Sequence, residues 1–174
     1  MAISDIHWRA LTMLDMPALA DIAAQVHPDY FEDLAVLAEK LTLYPDGARL
    51  LEIAGEPAGY LLSHPYPYLS VPPLNRLIGK IPAPADCLYL HDLALLPKAR
   101  GRGAAGWAVE DLARHAQRQG FSAMALVSVG NSAAFWGRFG FSPVDRPELA
   151  AKLASYSETA RYMVRPLDRS LPGS

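Results

Sequence analysis

Three polar side chains interrupt an otherwise apolar run at Cys87–Ala94, and they are of the types that move protons: Tyr89, His91 and Asp92. Eight residues rich in Leu and Tyr predict a buried strand, where desolvating a polar group is costly unless something compensates it. A histidine is the side chain best suited to taking a proton from an ammonium near neutral pH, directly or through water. By the period of two, Tyr89 and His91 share one face of such a strand. Asp92 falls on the other unless a bulge turns it. The competing reading is that neighbouring loops satisfy His91 and Asp92 structurally. His64 and Glu52 are second choices for a base. The five histidines are dispersed without metal-ligand spacing, so no metal site is expected.

A second chemistry follows directly. Pro97 ends the strand, and Lys98-Ala99-Arg100-Gly101-Arg102-Gly103 forms a basic, Gly-rich turn before a helical pattern from Ala104 to about Gln119. Strand, glycine turn and helix together make an anion site. Glycines let consecutive N–H groups converge, and the first helical turn adds unpaired donors and partial positive charge. Arg100 and Arg102 contribute full charges, which suits a diphosphate. Gly101-x-Gly103-x-x-Gly106 also spells a dinucleotide fingerprint, which requires an acidic residue at the end of the next strand. That strand, about Ser122–Val129, ends in Gly130-Asn131 with no carboxylate, and the dinucleotide reading is set aside.

Arg100-x-x-Gly103-x-Ala105 resembles the pyrophosphate loop of the GCN5-related N-acetyltransferase (GNAT) superfamily. Leu93-Ala94-Leu95-Leu96-Pro97 is similar to that family's fourth strand, and Phe135-Trp136-Gly137-Arg138-Phe139-Gly140-Phe141 is similar to its aromatic segment. The resemblance covers Trp8–Leu167. It implies a cofactor, acetyl-CoA, held by Leu93, Ala94, Leu95, Arg100, Gly101, Arg102, Gly103, Ala104, Ala105, Asn131, Phe135 and Trp136. Within that set, the backbone N–H near Leu95 serves the developing oxyanion and Asn131 contacts the pantetheine arm or orders its helix. Trp136 stands where many relatives carry a tyrosine. An indole N–H can donate a hydrogen bond but is no acid at neutral pH, so the thiolate is expected to leave unassisted or to be protonated by water, Tyr89 or another group.

The resemblance further implies an α/β fold: a mixed, largely antiparallel sheet flanked by helices, with parallel strands four and five splayed at the cofactor cleft. The elements needed are legible in order. A strand at Ile6–Leu11 leads into a helix capped by Thr12 or Asp15 and running to about Val26. A second helix is expected at Glu32–Leu43, and a hairpin at Ala48–Ile53 and Ala58–Ser63 across Gly55-Glu56-Pro57. His64–Asp86, punctuated by prolines from Pro65 to Pro84, reads as an ordered flap with a short helix at Leu74–Ile78. A rigid cover over the sheet or a dimer contact is its other reading. Ala123–Val129 is the fifth strand, Asn131–Trp136 a short helix, Pro147–Ser155 helical, and Thr159–Leu167 the last strand. His27 is expected as a cap or loop residue, although in the resembling family His27, Tyr30 and Phe31 would help wall the acceptor pocket.

With 174 residues and 51% hydrophobic content, residues 1–167 are expected to form one domain, with a loosely ordered tail at 168–174. Net charge is −2 and scattered, which argues against a nucleic-acid partner. No signal peptide or membrane-spanning run is evident, so no membrane partner and a cytoplasmic location are expected. Cys87 reads as a core residue, and the oligomeric state as monomer or homodimer. The expected acceptor is a primary amine of a small molecule; an aromatic flap with few carboxylates disfavours an aminoglycoside. Two alternatives stand beside it: a peptide or protein N-acetyltransferase, and a noncatalytic acyl-CoA sensor.

Overall fold

The computed structural model describes residues 5–168; the expected loose tail, from residue 169 on, lies outside them. A seven-stranded sheet runs in the order β1-β2-β3-β4-β5-β7-β6. Its strands are β1 (Ile6–Ala10), β2 (Ala48–Ile53), β3 (Glu56–Tyr66), β4 (Cys87–Leu95), β5 (Ala123–Ser128), β6 (Ser142–Pro143) and β7 (Arg161–Pro166). Neighbours are antiparallel except β4 and β5, which pair in parallel. Helices α1 (Met16–Val26), α2 (Leu34–Leu43), α3 (Ala104–Arg118), α4 (Ala133–Gly137) and α5 (Ala150–Ala154) complete the fold. The architecture is the mixed α/β sheet that the sequence led us to expect.

Each face has its own core. On one, α3 buries Val109, Leu112, Ala113 and Ala116 against Leu61, Leu88, Leu90, Met124 and Leu126. These helix residues recur at the three- and four-residue spacing that makes one apolar stripe. The glycine at position 106 lets Phe139 approach to 3.1 Å of where a Cβ would sit. On the opposite face, Leu19 and Ile22 of α1 and Leu37 and Leu41 of α2 cover Leu50, Tyr60, Leu62 and Ala94. Among the described residues, no helix is long and apolar enough to cross a membrane.

The parallel pairing is short. β4 and β5 meet only at Cys87–Ala123, Leu88–Met124 and Tyr89–Ala125, after which the two strands separate. β4 also carries a bulge. Leu62 faces Asp92 and the next residue, Ser63, faces Leu90, which leaves His91 without a partner on β3. The extra residue resets the alternation: Leu90 and Leu93 both pack on the α3 side, and His91 and Asp92 both belong to the other.

The sequence expectations need correction at several boundaries. The hairpin reverses at Ala54-Gly55, both with positive φ, so Glu56 and Pro57 already lie in β3. β3 runs on to Tyr66, which makes His64 a strand residue at 0% exposure and shortens the flap to residues 67–86. The flap is ordered but has only a turn at Leu74-Asn75 where a helix was expected; prolines at 72 and 73 deprive that segment of backbone donors. α2 starts at Leu34, two residues later than expected, and this leaves Glu32 in the loop before it.

Where α1 begins, Arg9 binds Asp15 through both of its terminal nitrogens, at 2.8 and 2.7 Å, and also reaches Glu52. Asp15 in turn accepts the backbone N–H of Thr12 at 2.8 Å. The Arg9 hydrogen bonds, against an opposing effect of burial, hold the Asp15 carboxyl at about 2. A depressed carboxyl stabilises the fold above its unfolded pKa and loses that contribution as pH falls through the folded value. With Arg9 35% exposed, solvent screening limits the effect to about 1 kcal/mol. Asp15→Asn is expected to cost about that much at pH 7, and the gap from the parent to close between the ordinary carboxylate range and about pH 2. Denaturant titrations across that range measure it.

Candidate active site

The separation of β4 from β5 opens a cavity of about 350 Å³, walled by β4 from Tyr89 to Leu93, by Leu126, Val127 and Val129 of the β5 region, and by Phe135 and Trp136 of α4. His27, Tyr30 and Glu32 from the α1–α2 loop, Leu74 of the flap and Tyr156 close its other side. Tyr89, His91 and Asp92, the three proton-moving residues of the sequence, all line it.

The two bulge residues are gripped by the same loop. His91 Nε2 lies 2.8 Å from Glu32 Oε1, and Asp92 Oδ1 lies 2.8 Å from His27 Nε2. Tyr60 O–H also donates to Asp92. Burial works to raise the Asp92 carboxyl, but the close contact with His27 and the Tyr60 hydrogen bond outweigh it and the net shift is downward. Burial likewise works to lower His27, and the hydrogen bond and charge of Asp92 reverse it, so His27 is shifted upward. Asp92 and His27 therefore form an ion pair favouring their charged forms. His91 differs. Its Nε2 faces a carboxylate, while its Nδ1 is buried without a protein partner among the described residues. A carboxylate oxygen only accepts, so Nε2 carries a hydrogen, and in the neutral ring the lone pair is on Nδ1.

The remaining candidates separate. Tyr89 is 3% exposed, and burial, then Tyr156, push its hydroxyl well above the ordinary range. It is a hydrogen-bond donor and not a ready acid. Burial, with His91 as a secondary cause, pushes His64 down to about 3, which keeps it neutral beside the rings of Tyr66, Tyr89 and His91. Glu52 is engaged by Arg9 at the β1–β2 edge. Cys87 is buried, and its thiol is pushed up to about 12, chiefly by desolvation. No three His, Cys, Asp or Glu side chains converge as a metal-binding group among the described residues. Glu32 was not legible in advance: its only sequence signal was a carboxylate at an expected helix start.

At the other end of β4, Arg100 Nε donates to the Leu95 carbonyl at 3.2 Å, folding the basic turn back on the strand. Gly101 and Gly103 hold φ of +72° and +76°. Gly103 is the N-cap of α3; its carbonyl accepts the Trp107 N–H at 3.0 Å, and no side chain caps this end among the described residues. The amides of Gly103, Ala104, Ala105 and Gly106 precede the first intrahelical hydrogen bond and leave the donor set that a pyrophosphate requires. No atom lies within 4 Å of a Cβ built on either positive-φ glycine, so the cradle is open. Leu93 lines the cavity, Ala94 packs under α1 and α2, and the Leu95 side chain packs with Leu51 and Ala104. Asn131 is exposed and not part of the cavity wall; Ser132 takes that place, its hydroxyl donating to Val129 O at 2.7 Å. Trp136 is 9% exposed, held edge-on by Phe135 and Phe141 at ring distances of 5.0 and 5.7 Å.

A family model described as the Acetyltransferase (GNAT) family matches residues 3–141. No curated protein matches the chain. Among solved structures, the chain is similar to the ribosomal-protein-S18-alanine N-acetyltransferase from Escherichia coli, at 15% identity, TM-score 0.67, covering 97% of this chain and 98% of that one. It is similar to a chain of the NatC complex bound to Gag peptide and CoA, at 20% identity, TM-score 0.69 and coverage of 94% and 99%. It is also similar to the GNAT-like decarboxylase GphF in complex with isobutyryl-CoA, at 17% identity, TM-score 0.74 and coverage of 93% and 100%.

The cradle makes a direct prediction. Gly103→Val puts a β-branched residue at positive φ in the turn, and CoA binding by calorimetry is expected to weaken at least about tenfold, or ~1.4 kcal/mol. An unchanged affinity, in a variant whose melting confirms folding, would remove this turn from the cofactor site.

Proposed function

The chain belongs to the GNAT acetyltransferase family and is an acetyl-CoA-dependent acyltransferase, and from that premise we propose that its acceptor is the terminal amine of a peptide or protein. The observation that carries the proposal is a pair of adjoining cavities. A second one, of about 370 Å³, runs along α1 and α2 and shares His27, Tyr30, Glu32 and Asp92 with the first. Phe31 at 66% exposure and Leu34 at 44% stand at its outer wall. The exposed apolar residues of the second cavity offer a surface for the rest of a peptide beside the first, which a small-molecule acceptor would not need. The peptide-acetylating proteins among the similar folds support the same reading. A small-molecule amine, the first expectation from the sequence, is the second reading, favoured by the flap that covers one side of the cavity.

The roles follow from the geometry. Acetyl-CoA, when bound, supplies an activated thioester acyl group. The α3 amides, Gly101, Gly103 and the two arginines would hold its pyrophosphate, with Leu93, Phe135 and Trp136 along the cleft. His91 Nδ1, bearing the lone pair, takes the proton that the acceptor ammonium must lose. Glu32 stabilises the charge His91 then acquires. Asp92 and His27, already paired with each other, wall the acceptor side without competing for the acceptor's proton. A buried Cys87 thiol at about 12 is no nucleophile, which favours direct transfer to the amine. Trp136 packs the cleft, and the departing thiolate is protonated by water.

Thiol release with acetyl-CoA across short peptides of varied first residue, amino acids and polyamines tests the acceptor class. Peptides are expected to be turned over best; turnover confined to polyamines or other small amines would overturn the proposal. His91→Ala is expected to lose roughly 10²-fold in turnover with CoA affinity intact, whereas Trp136→Phe should keep most of it. A Phe variant that folds and binds CoA but loses activity as severely would assign the indole N–H a direct part. CoA binding without turnover of any amine would favour the sensor reading.

A further inference from the structure

Glu32 uses its two carboxylate oxygens for different partners. Oε1 meets His91 Nε2 at 2.8 Å, and Oε2 accepts the backbone N–H of Asn75, in the flap, at 3.2 Å. The adjacent residue closes the connection: the Asp33 N–H donates to Asn75 Oδ1 at 2.7 Å. Asn75 therefore clasps two consecutive loop residues, one with its backbone donor and one with its side-chain acceptor. It does so at φ +52°, a conformation Asn adopts more readily than most residues. The Glu32 side chain is 8% exposed, and two fixed partners hold it in one orientation.

We infer that Asn75 is a positioning residue for the proton acceptor: its clasp fixes Glu32, and Glu32 fixes the His91 tautomer that leaves Nδ1 free. The inference rests on the proposed role of His91 as base and deepens it. Among the described residues, the groups nearest the ring do not substitute for Glu32. His64, from β3, lies 5.8 Å away between ring centroids and, at about 3, is neutral. Tyr89, on the same strand, lies 6.3 Å away with its hydroxyl protonated. Asp92 is occupied by His27 and Tyr60. Without the clasp, the carboxylate that selects between the ring's two neutral forms loses its fixed orientation. Leu74, the neighbour of Asn75, lines the cavity, so the segment that meets the acceptor also sets the base.

The test combines ring-nitrogen NMR of His91 with steady-state kinetics in Asn75→Gly and Glu32→Gln. Glycine keeps the positive φ and the backbone donor but removes the side-chain acceptor; Gln keeps the size of Glu32 but not its charge. In the parent, neutral His91 is expected only as the Nε2–H form. Asn75→Gly should show the Nδ1–H form as well, with kcat down roughly tenfold and KM for acetyl-CoA unchanged. Glu32→Gln should lose roughly 10²-fold, and the double variant no more than that, because Asn75 acts through Glu32. An Asn75→Gly protein with the parent spectrum would overturn the clasp. A changed tautomer with unchanged turnover, in a protein whose His91→Ala form also keeps its turnover, would instead overturn the assignment of His91 as base.

Discussion

One unpaired residue in β4 decides what this sheet can do. A regular strand would send His91 and Asp92 to opposite faces, with one of them pointing into the apolar layer beneath α3. The bulge at His91 turns both towards the α1–α2 loop, where Glu32 and His27 are waiting for them. Four ionisable groups that would each be costly to bury alone are thereby buried as two pairs. His27 and Asp92 favour their charged forms, and the His91 nitrogen that does not face Glu32 is buried without a partner among the described residues.

The same strand ends the pairing with β5 after three residues, and the two events are linked by position. The last parallel pair includes Tyr89, two residues before the bulge. Beyond it, β4 is free on its β5 side, and the resulting wedge lies between the α3 N-terminus and the α1–α2 loop. The glycine turn before α3 and the α1–α2 loop thus approach the wedge from opposite faces of the sheet. The turn presents backbone donors at positive-φ glycines, whereas the loop presents side-chain pairs.

The flap is an ordered cover, held along its length by groups from distant elements. Glu39 of α2 accepts the N–H groups of Ile78 and Gly79 at 2.7 and 2.9 Å. Tyr162 of β7 accepts the N–H of Leu69 at 3.1 Å, and Tyr156 O–H donates to the Pro72 carbonyl. Proline removes donors from this segment, and the remaining backbone groups find side-chain partners instead of a helix.

The sequence by itself determined the features whose causes are local. Apolar periodicity marked α3, β4 and β5. Gly101 and Gly103 announced a turn with φ values that other residues avoid, and their order before a helix announced an anion site. The types at positions 89, 91 and 92 announced proton chemistry, and they do share a cavity. What only the tertiary structure decided are the pairings between elements far apart in the chain. Periodicity placed Asp92 on the wrong face because a bulge depends on the register with β3, set by partners about thirty residues away. Asn131 is exposed, and Ser132 lines the cavity, because the turn after β5 sets which residue faces inward. Glu32 was one carboxylate among many until α2 began two residues late and left it free to reach His91. A side chain's type is written in the chain, but its proton chemistry belongs to its partner, and the partner is chosen by folding.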